Sequence, residues 1–270
     1  MTAVPPAEIL TADGPVSETD RRSLLKALAT APLAAVLASP ALAGVAASTT
    51  TMVTLDVPGV GPVQAALALP EAQKAPAVVL IHEWWGLNDQ IKSVAADLAR
   101  SGYVALAVDL FGGKVATDAE AAKAQIQAVK PEVATATMVA WISWLRQHPR
   151  GTGKVATLGW CFGGGWSVNA SLATPVDATV LYYGRVPSDP VALKALKGPV
   201  LGHFGEKDQS INHAMVDPFT AALKQNGHPA DIYWYDADHA FANPTVARYD
   251  EADARLAWER TLAFLKKTVG

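Results

Sequence analysis

Residues 154–165 read Lys-Val-Ala-Thr-Leu-Gly-Trp-Cys-Phe-Gly-Gly-Gly. Lys154–Gly159 has the apolar character of a buried strand, and Gly163–Leu172 that of a helix. Between them stands Cys161, with Gly159 and Gly163 two residues to either side. This is the Gly-x-nucleophile-x-Gly pattern, with Cys where Ser is more usual. The central residue of such a turn takes a positive φ. Strand and helix approach so closely there that only glycine fits the flanking positions. The helix N-terminus then lies beneath the sulfur, where its dipole favours a thiolate. A buried, inert cysteine is the plainer reading, but two glycines at a strand-to-helix corner favour a nucleophile. A dinucleotide-binding loop is a further alternative, since Gly159, Gly163 and Gly165 give G-x-x-x-G-x-G. That loop belongs after the first strand of a fold and precedes an acid at the end of the next strand. Here the strand is a late one, and the next ends in Tyr182-Tyr183-Gly184.

Outward from the elbow, strands and helices alternate. The strands expected upstream are Ala77–His82 and Tyr103–Asp109, both continuous apolar runs suited to burial on two faces. Helical spacing marks 89–100, 118–129 and 132–146. Downstream, strands are expected at 178–183, 199–204 and 231–235, with helices at 212–226 and 248–266. Before all of these, 52–57 and 63–69 flank Pro58-Gly59-Val60-Gly61-Pro62 and read as an edge hairpin with proline kept out of the strands. The alternation implies an α/β domain with a mostly parallel central sheet and helices on both faces. Active sites of such sheets lie at the carboxyl ends of the strands.

A thiol nucleophile needs a base, and the base an orienting carboxylate. Asp208 follows the strand at 199–204, and His239 follows the strand at 231–235. The order Cys161, Asp208, His239 is nucleophile, acid, histidine, as in hydrolases with this elbow. Asp236 and Asp238 rival Asp208, but they are too near His239 in sequence to arrive from a separate strand end. Of the other histidines, His82 ends a central strand and could line the site. His203 packs within its strand, and His148, His213 and His228 read as surface or helix-end positions. His82-Glu83 lacks the second histidine of a zincin helix, so no metal site is expected.

The composition bounds the partners. The chain carries 22 Lys+Arg against 25 Asp+Glu, a net charge of −3, which excludes the basic excess of a nucleic-acid binder. Half the residues are hydrophobic and 17% charged, the reverse of a disordered chain. A single cysteine excludes an intramolecular disulfide and a cysteine-cluster metal site. Ahead of the domain, Arg21-Arg22 precede an apolar run from Ala27 to Leu42 that ends in Ala41-Leu42-Ala43. Basic region, apolar region and A-x-A site make an export signal over residues 1–43, and the paired arginines resemble the twin-arginine type. A permanent membrane anchor is disfavoured, because the run is short for a span and Pro32 and Pro40 interrupt it. The expectation is an exported, periplasmic protein whose single domain covers 44–270, a monomer without a stable membrane anchor.

Five stretches together resemble the dienelactone hydrolase family: Ile-His-Glu-Trp-Trp-Gly-Leu-Asn (81–88), Gly-Tyr-Val-Ala-Leu-Ala-Val-Asp-Leu-Phe (102–111), Gly-Trp-Cys-Phe-Gly-Gly (159–164), Phe-Gly-Glu-Lys-Asp (204–208) and His-Ala-Phe-Ala-Asn (239–243). The resemblance covers essentially all of the chain after the signal. It implies an α/β-hydrolase fold, a Cys161–His239–Asp208 triad and Glu83 as a fourth active-site member. A carboxyl just past a strand end, among Trp84 and Trp85, can accept the thiol proton or keep the cysteine neutral until substrate enters. Oxyanion donors are expected at the backbone N–H of Phe162, after the nucleophile. The resemblance places the second at Trp84. Family members that act on dienelactone hold its carboxylate with two arginines. At those places stand Gly112-Gly113-Lys114 and Asn243, which points away from a small anionic lactone. Lys114 and Asn243, with Trp85 and Trp160, are the candidate substrate contacts. Trp84, Trp85, Trp160 and Trp166 suit an apolar or aromatic group.

The expected function is hydrolysis of a small-molecule carboxylic ester or lactone through an acyl-enzyme, without metal or organic cofactor. The alternatives are a thiol-dependent redox or acyl-transfer enzyme using the same cysteine, and a non-catalytic binding protein on the same fold.

Overall fold

Eight strands form one sheet: β1 (Thr51–Val57), β2 (Gly61–Ala68), β3 (Ala75–Ile81), β4 (Val104–Val108), β5 (Gly151–Trp160), β6 (Ala178–Tyr182), β7 (Val200–Gly205) and β8 (Ala230–Tyr235). Their spatial order is β8-β7-β6-β5-β3-β4-β2-β1. The pairs β1–β2 and β2–β4 are antiparallel; all others in this sheet are parallel. The helices are α1 (Leu33–Ala38), α2 (Pro40–Ala47), α3 (Asp89–Arg100), α4 (Ala119–Ala128), α5 (Pro131–Gln147), α6 (Phe162–Ala173), α7 (Pro190–Leu193), α8 (His213–Gln225) and α9 (Glu251–Thr268). The structure is a computed structural model and describes residues 10–11, 14–15, 23–24, 26–28 and 31–270. The expected twin-arginine pair, Arg21-Arg22, lies outside the described residues.

The period-two pattern of the central strands loads both faces. Val78 and Leu80 of β3 point to a core shared with Ile91, Val94 and Leu98 of α3 and Phe264 and Leu265 of α9. Val79 and Ile81 point the other way, to Met138, Trp141 and Leu145 of α5 and Trp166 of α6. Apolar burial on both faces is why these strands read as unbroken hydrophobic runs. The sheet is therefore the doubly covered, mostly parallel sheet of an α/β-hydrolase-like fold.

One expectation changes. Pro62 stands inside β2, opposite Asp56. There β2 is paired on one side alone, because β4 joins it only from Ala65, so a missing N–H breaks no ladder on the open side. Residues 33–47, around the expected cleavage point, are packed on the body. Val36, Val45 and Ala46 are buried against Ala96 of α3, and the Ser93 hydroxyl donates to the Ala43 carbonyl at 2.8 Å. An Ala/Leu-rich run that suits an export signal can also bury one face of a helix, as this one does here. Among the described residues no helix is long and apolar enough to cross a membrane.

The tightest packing lies at the elbow. A β-carbon on Gly159 would stand 2.0 Å from the Gly163 carbonyl oxygen, and one on Gly163 would stand 2.1 Å from that of Ile81. Backbone cannot give way as a side-chain tip does. Gly163→Ala should therefore destabilise the protein by about 3 kcal/mol or more, as a forced backbone separation in the core. A urea titration at pH 7 checks this; a loss within 0.5 kcal/mol, the ordinary surface range, would contradict it.

Candidate active site

Three strand ends deliver the candidate side chains. Cys161 follows β5 directly at φ 52°, ψ −113°, a strained conformation for a residue with a β-carbon. It is half-buried. Asp208 stands in the loop after β7 and His239 in the loop after β8. Nε2 of His239 is 3.2 Å from Cys161 Sγ, and Nδ1 is 2.5 Å from Asp208 Oδ2. Asp208 Oδ1 accepts the N–H groups of Ser210 at 2.8 Å and Ile211 at 2.9 Å, which fixes the carboxylate plane. Its rivals are occupied elsewhere: Asp236 meets Lys207 at 2.9 Å on the surface, and Asp238 accepts the backbone N–H of His239 at 2.6 Å.

The electrostatics follow from these bonds. Burial alone would raise Asp208, but hydrogen bonds from His239, Ile211 and Ser210 outweigh it and hold the carboxyl below its ordinary range. Burial disfavours the His239 imidazolium, yet its hydrogen bonds to Asp208 and Cys161 bring its pKa up to about 10.

Glu83, in the loop between β3 and α3, is 4% exposed. Burial raises its pKa, while hydrogen bonding from Asn243 and the charge of His239 pull it down. Asn243 Nδ2 donates to Oε2 in a short hydrogen bond. Oε1 has no hydrogen-bond partner, and neither does the nearby Tyr183 hydroxyl. Tyr183 lies close enough to favour the Glu83 carboxylate, and Glu83 in turn favours the protonated phenol. His82 anchors the same loop. Its Nδ1 donates to the Glu83 carbonyl at 2.6 Å and its Nε2 accepts from Leu110 N–H at 3.2 Å. It is fully buried, which lowers its pKa, and it supports the loop rather than facing the cavity.

Glu83, Trp84, Trp85, Cys161, His239 and Arg248 help to line a cavity of about 170 Å³. Phe162 is the first residue of α6, so its N–H is one of the first-turn amides without a partner inside the helix. Trp84 and Trp85 stack edge-to-face with centroids 4.9 Å apart.

The structure does not bring every expected residue here. Lys114 is exposed and is not part of the cavity wall; its segment runs beside the Trp85 loop through Ala116 N–H to Trp85 C=O at 2.9 Å. Trp160 points to the opposite side of its strand end, into a separate groove between α1, α3 and α9. Trp166 is buried against α5 and the sheet. Asn243 does line the cavity, but its Oδ1 and one amide N–H are engaged within the protein. Two residues went unread. Tyr183 follows β6 beside the elbow, so its strand-end position was the available signal. Arg248 was read as the start of a helix; the helix begins at Glu251, with Asp250 capping Asp253 N–H at 3.0 Å, and Arg248 is left in the loop. Among the described residues no cluster of three or more His, Cys, Asp or Glu could hold a metal ion.

The model of the dienelactone hydrolase family matches residues 63–269. A carboxymethylenebutenolidase of a Pseudomonas species is 28% identical over 224 residues, covering 79% of this chain and 94% of that one. The carboxymethylenebutenolidase of Pseudomonas putida is 28% identical over 207 residues, with 73% and 87% covered. A crystal structure from Klebsiella pneumoniae assigned as a dienelactone hydrolase superposes with a TM-score of 0.72 at 26% identity, covering 81% of this chain and 99% of that one.

A buried acid with an unpartnered oxygen costs stability. In Glu83→Gln the carbonyl can accept from Asn243 and the amide can face Tyr183, so the variant should be more stable at pH 7 by about 1–3 kcal/mol. Glu83 has a folded pKa above its unfolded value, so the wild type loses stability as pH rises from the unfolded value toward the folded one. The advantage of the variant should shrink as pH falls toward about 4. Urea titrations at both pH values check this, and an equal difference at each would refute it.

Proposed function

The chain belongs to the dienelactone hydrolase family and is a hydrolase of the ester and lactone class; on that footing we propose that it works through a thiol acyl-enzyme on Cys161. The observation that carries this is the relay Sγ···Nε2 and Nδ1···Oδ2, at 3.2 and 2.5 Å, at three adjoining strand ends. With its thiol proton already on His239 Nε2, Cys161 Sγ attacks the carbonyl carbon and the carbonyl oxygen becomes an oxyanion, held by the N–H groups of Phe162 and Trp84. Collapse breaks the carbon–oxygen bond, and His239 Nε2 protonates the departing alkoxide. His239 then takes a proton from water, the hydroxide attacks the thioester, and the acid leaves as the sulfur is released. The N-terminal Arg21-Arg22 and apolar run support a site of action outside the cytoplasm.

The cavity sets the scale of the acyl group. About 170 Å³ is below the roughly 300–1,000 Å³ of pockets for drug-sized ligands, so short acyl groups and small lactone rings fit best. Arg248 supplies a guanidinium at the cavity wall, which restores room for a carboxylate-bearing substrate that the sequence had argued against.

Cys161→Ala should abolish turnover of p-nitrophenyl acetate, and Asp208→Asn should lower kcat by about 10³–10⁴-fold, the scale for losing an orienting carboxylate. Full activity of folded Cys161→Ala would end the thiol mechanism. Arg248→Ala should raise KM for an ester bearing a remote carboxylate by about tenfold, the low end for a charge-assisted hydrogen bond at an exposed side chain, and by less for the neutral acetate. Steady-state kinetics on the two esters read the difference; equal effects would remove Arg248 from substrate binding.

A further inference from the structure

Asn243 is 1% exposed and has no rotational freedom in its hydrogen bonding. Its Oδ1 accepts from Thr245 N–H at 2.9 Å and from the Thr245 hydroxyl at 2.7 Å. Turning the amide over would aim its NH₂ at the Thr245 N–H, which can only donate, and its oxygen at the Glu83 carboxylate, so the Thr245 N–H fixes the amide orientation. Nδ2 must therefore face Glu83 Oε2. The two oxygens of Glu83 are then unlike. Oε2 is committed as an acceptor, and Oε1 is buried and unpartnered beside an equally unpartnered Tyr183 hydroxyl.

We infer that Asn243 is a positioning residue that makes Glu83 a one-sided acid–base group, with Oε2 fixed as acceptor and Oε1 left as the oxygen that takes or gives a proton. Glu83 and Cys161 line the same cavity. The titratable groups facing Glu83 are Tyr183 from the end of β6, His239 and Arg248 from the loop after β8, and Cys161 at the elbow. The amide is a built-in neutral donor to Oε2 that does not depend on what enters the cavity. Its N–H favours the carboxylate form, and that carboxylate favours the proton on His239. Removing the amide should keep Glu83 neutral to higher pH and delay the charged state of the site. The kinetic part rests on the thiol mechanism proposed above; the chemical modification part does not.

The test uses the full chain as wild type, Asn243→Ala, Thr245→Val, Glu83→Gln and the Asn243→Ala/Glu83→Gln double variant. Two pH profiles are measured: kcat/KM on p-nitrophenyl acetate, and the rate of Cys161 alkylation by iodoacetamide. Asn243→Ala should move the acid limb of both profiles up by about 1–2 pH units, the scale of one hydrogen bond to a charged group. Thr245→Val loses only the hydroxyl bond to Oδ1, and should move both limbs the same way by less. Thr245 is exposed, so this variant carries the test even where Asn243→Ala fails to fold. In the Glu83→Gln background the Asn243 substitution should move nothing. An unmoved acid limb in Asn243→Ala and Thr245→Val, or a shift of equal size without Glu83, would overturn the inference. Ester turnover that survives Cys161→Ala would instead remove the acyl-enzyme mechanism, while the alkylation profile still reports the coupling of Asn243 to Glu83.

Discussion

At Gly163 the backbone of α6 lies so close to the carbonyl oxygens of Ile81 and His82 that a β-carbon would stand 2.1 and 2.5 Å from them. This contact joins the start of α6 to the end of β3. It presses the N-terminal turn of α6 under Cys161 and sets the β3–α3 loop, with Glu83 and Trp84, across from the sulfur. It also forces Cys161 into its positive-φ turn, since the chain must leave β5 and enter α6 within one residue. Local strain of this kind persists only where the surroundings over-determine it. Here the register of β3 with β5, Ile81 opposite Gly159, supplies that constraint.

Two carboxyls meet the same histidine with opposite electrostatics. Asp208 is buried but receives three hydrogen bonds, so its charged form is favoured. Glu83 is buried with one oxygen unpartnered, so desolvation wins and its neutral form gains. Such divergence around one histidine is the arrangement that separates a fixed charge from a titrating acid or base. The sequence carries no trace of the difference, since both residues are acids just past strand ends. It comes from the neighbours: two turn amides beside Asp208 and a lone side-chain amide beside Glu83.

What was legible in the sequence follows from this division. Strand ends can be read from apolar runs, and a parallel sheet brings its carboxyl ends together. Cys161, Asp208 and His239 were therefore named from position, Asp208 being preferred to Asp236 and Asp238 because it arrives from a different strand, while Glu83 came from the resemblance to the family. Side-chain direction could not be read in the same way. Trp160 adjoins the elbow in sequence, yet the strand pleat sends its ring to the far face, toward α1 and α9. Lys114 was placed by correspondence in sequence and falls outside the cavity. Arg248 was hidden in an expected helix because its charge gives no sign of where the helix starts; the cap at Asp250 decides that. The Ala/Leu run before Ala43 was legible as apolar but not as packed, since hydrophobicity alone does not name the surface that buries it.

The high pKa of His239 creates a requirement that the proposed chemistry meets. At rest, Cys161 and Asp208 together hold the imidazole's pKa up to about 10, so the ring keeps its proton near neutral pH and has a proton to give the leaving alkoxide. Hydrolysis of the acyl-enzyme needs the opposite, a free imidazole able to take a proton from water. Once the sulfur is acylated it can no longer accept a hydrogen bond from Nε2 as before, nor carry charge. One of the two supports is gone while Asp208 remains to orient the ring. Nε2 has just given up its proton, and the lost support lowers its tendency to regain one before water arrives. Release of the acid restores the sulfur and with it the resting proton. The same two hydrogen bonds therefore serve both half-reactions, because the first half-reaction removes the one that would obstruct the second.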